Sequence, residues 1–206
     1  MLKEVCVDTR EQALNAEAQG AQRIELCAHL DLDGLTPDIP FIHFALEKLH
    51  IPIHVMIRPR GGDFVYSDTE LDEMKASILF CKENDVPGVV FGILKPDDTL
   101  DIDAIAELTR LAKPMKVVIH KAIDRTPDPV AALAQLLDIE GIDSVLTSGG
   151  APTALQGAEN LKKMIALAGD RLHIMVAGKV TQDNIEAIDQ MFHAREYHGK
   201  LLVGPV

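Results

Sequence analysis

The sequence has no basic excess. Its 206 residues carry 20 Lys and Arg against 32 Asp and Glu, a formal net charge of -12. Binding a phosphate backbone needs a net basic face, so nucleic acid is excluded as the main partner, although a local cluster can still hold a small anion. An apolar stretch long enough to span a membrane, about 18 residues, is also missing. The opening segment MLKEVCVDTREQ alternates charges and holds no apolar signal region, so no secretory leader is expected. Cysteine is scarce: Cys6, Cys27 and Cys81 form an odd set without metal-knuckle spacing, which points to free thiols in a reducing, cytoplasmic setting. No linker or low-complexity tract divides the chain, so one domain over residues 1–206 is expected, with 47% hydrophobic residues to fill its core.

What is present is a regular alternation of short β-branched runs with longer amphipathic segments. KEVCVD, QRIELCA, IPIHVMIRP, PGVVFGIL, MKVVIHKAI, IDSVLTS and LHIMVAG read as strands, and an eighth lies within AREYHGKLLVG. Thr9 with Gln12 and Ser67 with Glu70 fit the capping box. Thr126 before Pro127 reads as an N-cap, and Gly20 and Gly169 read as helix ends. Strand–helix alternation means parallel strands joined by right-handed crossovers. No GxGxxG follows the first strand, which speaks against a dinucleotide fold and a nucleotide cofactor. Eight strand units, and polar residues (Glu25, His54, His120) inside apolar strands, favour a closed (β/α)8 TIM barrel over an open sheet. The chain is compact for that fold, and little of it follows the last strand, so the final helix is expected to be missing.

Strand alternation sorts side chains between lumen and helix layer. It places Cys6, Glu25, Cys27, His54, Met56, Arg58 and His120 on the lumen side, while Lys121 points away if the strand continues that far. Arg58 and Arg60, in HVMIRPRGGDFVY, offer guanidinium forks suited to a carboxylate or phosphate. Glu25 or His120 can move a proton if the lumen tunes them toward neutral pH. In LTSGGAPTA, Thr147, Ser148, Gly149 and Gly150 open a loop whose N–H groups suit an anion, and VAGKV offers a similar turn with Lys179. Cys6, Cys27, His54 and Met56 are soft or borderline donors of the kind that suits Cu(I). His29, His43, His50 and His193 are expected at the surface.

RIELCAHLDLDGLTPD, HVMIRPRGGDFVYSDTELDEM, GVVFGIL, IHKAID, VLTSGGAPTALQG and IMVAGKVTQDNI occur in an order and spacing that resembles the CutC family. The resemblance runs from Glu4 to about Gly199. It implies a (β/α)8 barrel, copper binding and a cytoplasmic role in copper homeostasis. It also assigns Glu25, Cys27, Arg58, Arg60, Asp63, His120, Asp124 and the Thr147–Gly150 turn to the family's motif set, with His198 matching a histidine at the end of the last strand. Asp124 thereby joins Glu25 and His120 as a candidate for acid–base work. Three departures stand out: Lys121 replaces an arginine, AGKV has one glycine fewer than the usual loop, and the family's C-terminal extension is absent. A missing last helix would expose apolar flanks of the final strands, so a homo-oligomer is expected. Besides copper, the residues leave open an enzyme acting on a small anionic metabolite, or an inactive relic of one.

Overall fold

The computed structural model describes all residues from Met1 to Val206. Eight parallel strands close into a barrel: β1 Leu2–Val7, β2 Arg23–Leu26, β3 Ile53–Met56, β4 Gly88–Phe91, β5 Lys116–Ile119, β6 Ser144–Thr147, β7 His173–Val176 and β8 Glu196–His198. Seven helices surround it: α1 Arg10–Ala18, α2 Ile39–Lys48, α3 Asp68–Glu83, α4 Ile102–Ala112, α5 Pro129–Leu136, α6 Ala158–Ala168 and α7 Ile185–Phe192. This is a compact TIM barrel, as the alternation predicts. None of its helices is long and apolar enough to cross a membrane.

The period-2 pattern divides the apolar residues into two cores. Val5, Ile24, Val55, Val89, Val117 and Val145 face outward and join the helices in the main cluster. Cys27, Met56, Val90, Val118, Leu146, Met175 and Ala177 form a smaller cluster inside the barrel. Burying each large aliphatic side chain contributes roughly 1.5–3 kcal/mol. Glycine makes room for the two large lumen histidines: a Cβ at Gly92 would come within 2.6 Å of His120 Nδ1, and one at Gly88 would collide with the His54 ring.

Caps fix where the helices start, and hence where the strand ends project. Ser67 and Glu70 form a reciprocal capping box at α3. Thr9 caps α1, but Gln12 reaches back to the Asp8 N–H, so only half of that box forms in the expected way. The α5 cap is Asp128 with Pro129 at the first turn, two residues beyond the expected Thr126–Pro127. The reason is local: Lys121–Arg125 forms a 3-10 turn, which Thr126 closes by donating to the Ile123 carbonyl at 2.7 Å.

No helix follows β8 in this chain, as expected. The apolar flank expected from that loss is nevertheless covered by the chain's own last residues. Leu202 and Val203 are buried in the main core, the Leu201 carbonyl accepts from the Gln182 N–H, and the Pro205 carbonyl accepts from the Gln19 side chain. Leu201, 47% exposed, is the large apolar side chain of this segment that stays at the surface.

Candidate functional site in the upper barrel

The C-terminal ends of the strands open on a cleft of about 590 Å³, whose lining includes Cys6, Glu25, Met56, Arg58, His120, Lys121, Asp124, His198 and Lys200. A roomier cleft of about 690 Å³ lies outside the barrel around Arg110 and Glu140, away from the lumen chemistry. β1 and β2 pair so that Cys6 stands beside Glu25, and closure of the ring brings His198 of β8 next to both. One ligand atom from each of these three residues lies within 4.8 Å of the others. Cys27, fully buried, donates its thiol to Glu25 Oε2 at 3.5 Å. The other Glu25 oxygen, Oε1, is buried without a partner.

Electrostatics tie this group together. Burial would raise the Glu4 carboxyl, but the His198 hydrogen bond (2.9 Å) and the Arg23 charge outweigh it and hold Glu4 at about 2. Burial would lower His198, yet Glu25, Cys6 and Glu4 surround it and raise it well above the ordinary histidine value. Burial, with the Glu4 charge, raises Glu25. Burial and the neighbouring Glu25 push the Cys27 thiol up as well. His198 thus stands between the Glu4 and Glu25 carboxyl groups, which favour its protonated form.

The other expected site residues distribute as follows. Met56 lies in the inner cluster with Cys27, and both abut Gly34. His54 faces the lumen but one layer lower, 3.5 Å from Glu4 and at the opposite mouth, so it does not join Cys6 and Cys27. Burial keeps it at about 4, hence neutral. Arg58 and Arg60 part company. Arg58 is 2% exposed and turns inward, whereas Arg60 is held by Asp63 at 2.9 Å and Glu70 at 2.5 Å outside the cleft lining.

Thr147, Ser148, Gly149 and Gly150 do form an anion-binding turn, but the chain fills it with its own carboxylate. Asp124 accepts from Thr147 Oγ1 (2.5 Å), Ser148 N (2.9 Å), Ser148 Oγ (3.0 Å) and Gly150 N (2.8 Å), while the Gly149 N–H goes to Thr147 Oγ1. Burial would raise Asp124, but Lys121 at 2.5 Å and these donors outweigh it and lower its pKa. Saturated in this way, Asp124 acts as a clamp on the loop and is poorly placed to exchange a proton. Lys121 enters the cleft because β5 ends at Ile119, which breaks the alternation that would have turned it away. His120, 4% exposed, sits opposite Gly92. Burial and the nearby Arg58 hold it at about 3, so the ring stays neutral.

Known proteins that resemble this chain agree on its family. The CutC family model matches residues 1–202. The chain belongs to the CutC family. Its relatives include the human copper homeostasis protein cutC homolog, 43% identical over 197 residues, covering 96% of this chain and 72% of the human one. A CutC family protein from Mesorhizobium japonicum is 41% identical over the same length. The crystal structure of a putative copper homeostasis protein CutC from Streptococcus agalactiae superposes with a TM-score of 0.92 at 32% identity, over 98% of this chain and 99% of that one. A putative deoxyribose-phosphate aldolase from Coccidioides immitis, 15% identical with a TM-score of 0.69, shares the fold.

Of Cys6, Glu25 and His198, the last is the residue that strand alternation did not select. Its strand is three residues long, too short for a period to show. Its match to the family's last-strand histidine was the available signal.

Proposed function

We propose that this CutC protein binds copper as Cu(I) in the upper barrel, through Cys6 and His198, with the Cys27 thiol and the Glu25 carboxylate beside them. The observation that carries this reading is the convergence of a thiol, an imidazole and a carboxylate within 4.8 Å at the floor of an open cleft. Thiol and imidazole donors suit Cu(I), and the unpartnered Glu25 Oε1 is an acceptor that a bound cation would satisfy. The relatives' naming as copper homeostasis proteins supports the same reading. All three cysteines are free thiols, in keeping with a cytoplasmic, reducing location. Copper is the cargo here, held by side chains that must first lose their protons.

A competitive Cu(I) titration under anaerobic, reducing conditions tests the proposal. Stoichiometric binding is expected in the natural chain and should be lost in Cys6→Ser/Cys27→Ser and in His198→Ala. Because His198 is protonated well above its ordinary range, affinity should fall as pH falls and the imidazolium persists. Weak binding, equal in all three proteins and flat with pH, would remove the reading.

A further inference from the structure

Two buried N–H donors in the same cleft are left over, and no metal can use them. Arg58 spends its terminal nitrogens on backbone carbonyls, Nη1 on Leu32 (2.8 Å) and Gly34 (3.1 Å) and Nη2 on Gly62 (3.1 Å). Its Nε–H has no partner. Arg58 takes part in no ion pair, in contrast to Arg60 two residues on. A guanidinium that is 2% exposed thus lacks any counter-anion. Buried charges are ordinarily paired, because leaving one uncompensated is costly.

His120 presents the second donor. Its Nδ1 accepts from the Ala122 N–H at 3.2 Å, so a neutral ring carries its hydrogen on Nε2. That Nε2 is buried and unpartnered. The two residues are neighbours: the Arg58 Cζ lies 4.8 Å from the Phe64 ring centre and the His120 ring 4.9 Å from it. Both residues, and Phe64, line the cleft of about 590 Å³.

We infer that the barrel mouth binds a small organic carboxylate, with Arg58 Nε and His120 Nε2 as its donors and the Phe64 ring beside it. The inference does not rest on copper binding, since a cation satisfies neither N–H group. A carboxylate has two oxygens for two donors and the charge that Arg58 lacks. A phosphate suits the site less well, because it needs several converging N–H groups and the turn that supplies them is already filled by Asp124. Lys200 on the lining favours the approach of an anion, while the charge of Lys121 is spent on Asp124. The cleft lies within the usual range for small-molecule sites.

The test follows the Arg58 side chain directly, by ¹⁵N NMR of arginine Nε–H groups in the full chain, titrated separately with acetate, malonate and inorganic phosphate. The Arg58 peak is assigned from Arg58→Lys. Acetate and malonate should shift that peak saturably and leave the Arg60 peak in place. His120→Asn keeps an acceptor for the Ala122 N–H but loses the Nε2 donor, and should weaken malonate binding about tenfold, the value of one charge-assisted hydrogen bond. Arg60→Ala should bind malonate as the natural chain does. An Arg58 peak that no carboxylate moves at millimolar concentration overturns the inference. So does a peak that phosphate moves and carboxylates do not, or malonate affinity unchanged in His120→Asn.

Discussion

The two ends of the barrel lumen are built from the same residue types at the same depth, yet they differ in how their charges are spent. At the lower end, Arg23 donates through Nε to Glu4 and through Nη2 to Glu196 at 2.8 Å. Glu196 also accepts from Ser144 at 3.1 Å and meets His173 at 3.1 Å. Apart from His54 Nδ1, every buried polar side-chain atom in that layer has a partner. At the upper end, Glu25 Oε1, Arg58 Nε and His120 Nε2 are all buried and unpartnered. Burial alone does not separate a structural charge from a binding one; completion of its hydrogen bonds does. The lower network closes the ring, and the upper groups keep unused hydrogen-bonding capacity, on which both proposed sites rest.

That contrast can be broken first from below. Arg23→Met should strip Glu4 and Glu196 of the guanidinium they share, leaving them only His198, Ser144 and His173 as hydrogen-bond partners, and cost about 3 kcal/mol in chemical denaturation. If stability barely changes, the lower layer is no keystone. The same network sets an acid limit. Glu4 is lowered from 4.5 to about 2, so its contribution is present above the unfolded carboxylate value and is lost as pH falls toward about 2. Unfolding midpoints measured over that window should drop in the natural chain and drop less steeply in Glu4→Gln, where the lowered Asp124 and Glu196 still contribute. Asp124→Asn tests whether the loop is a self-filled turn. With one acceptor oxygen replaced by a donor, it should lose about 2–3 kcal/mol and loosen the 149–150 backbone in hydrogen exchange. Arg60→Ala should have the smallest effect, a midpoint shift near the detection limit, because its ion pairs are solvated. A large loss there would place Arg60 with the lower network's charges and erase the distinction from Arg58.

Much of this fold is legible in the sequence, because a closed parallel barrel imposes period 2 on eight runs and spaces them with helices. Even the lumen-facing set was readable: Cys6, Glu25, Cys27, Met56, Arg58 and His120 all face inward. Height along the barrel was not. His54 shares a face with Met56, but the ladder Cys6–Glu25–His54–Gly88 runs down the tilted strands and carries it to the lower layer. Strand pattern sets the face, while register set by distant partners sets the level. The Thr147–Gly150 turn shows a related gap: its donors can be read from one segment, but the carboxylate that occupies them comes from 23 residues away. Lys121 was hidden for a different reason, a strand that stops two residues before it.

Closure of the ring joins the two ends of the chain. Glu4 pairs with His198 across a separation of 194 residues, and Cys6 and Glu25 reach His198 only when β8 docks against β1. During synthesis the proposed copper ligands are therefore held apart until the last strand arrives, and an open or misfolded barrel presents lone thiols in place of a site. Metal captured there would favour the closed ring over every partly open form by mass action. Loading would then report that the polypeptide had finished folding, and a chain cut before Glu196 would be unable to pass that inspection.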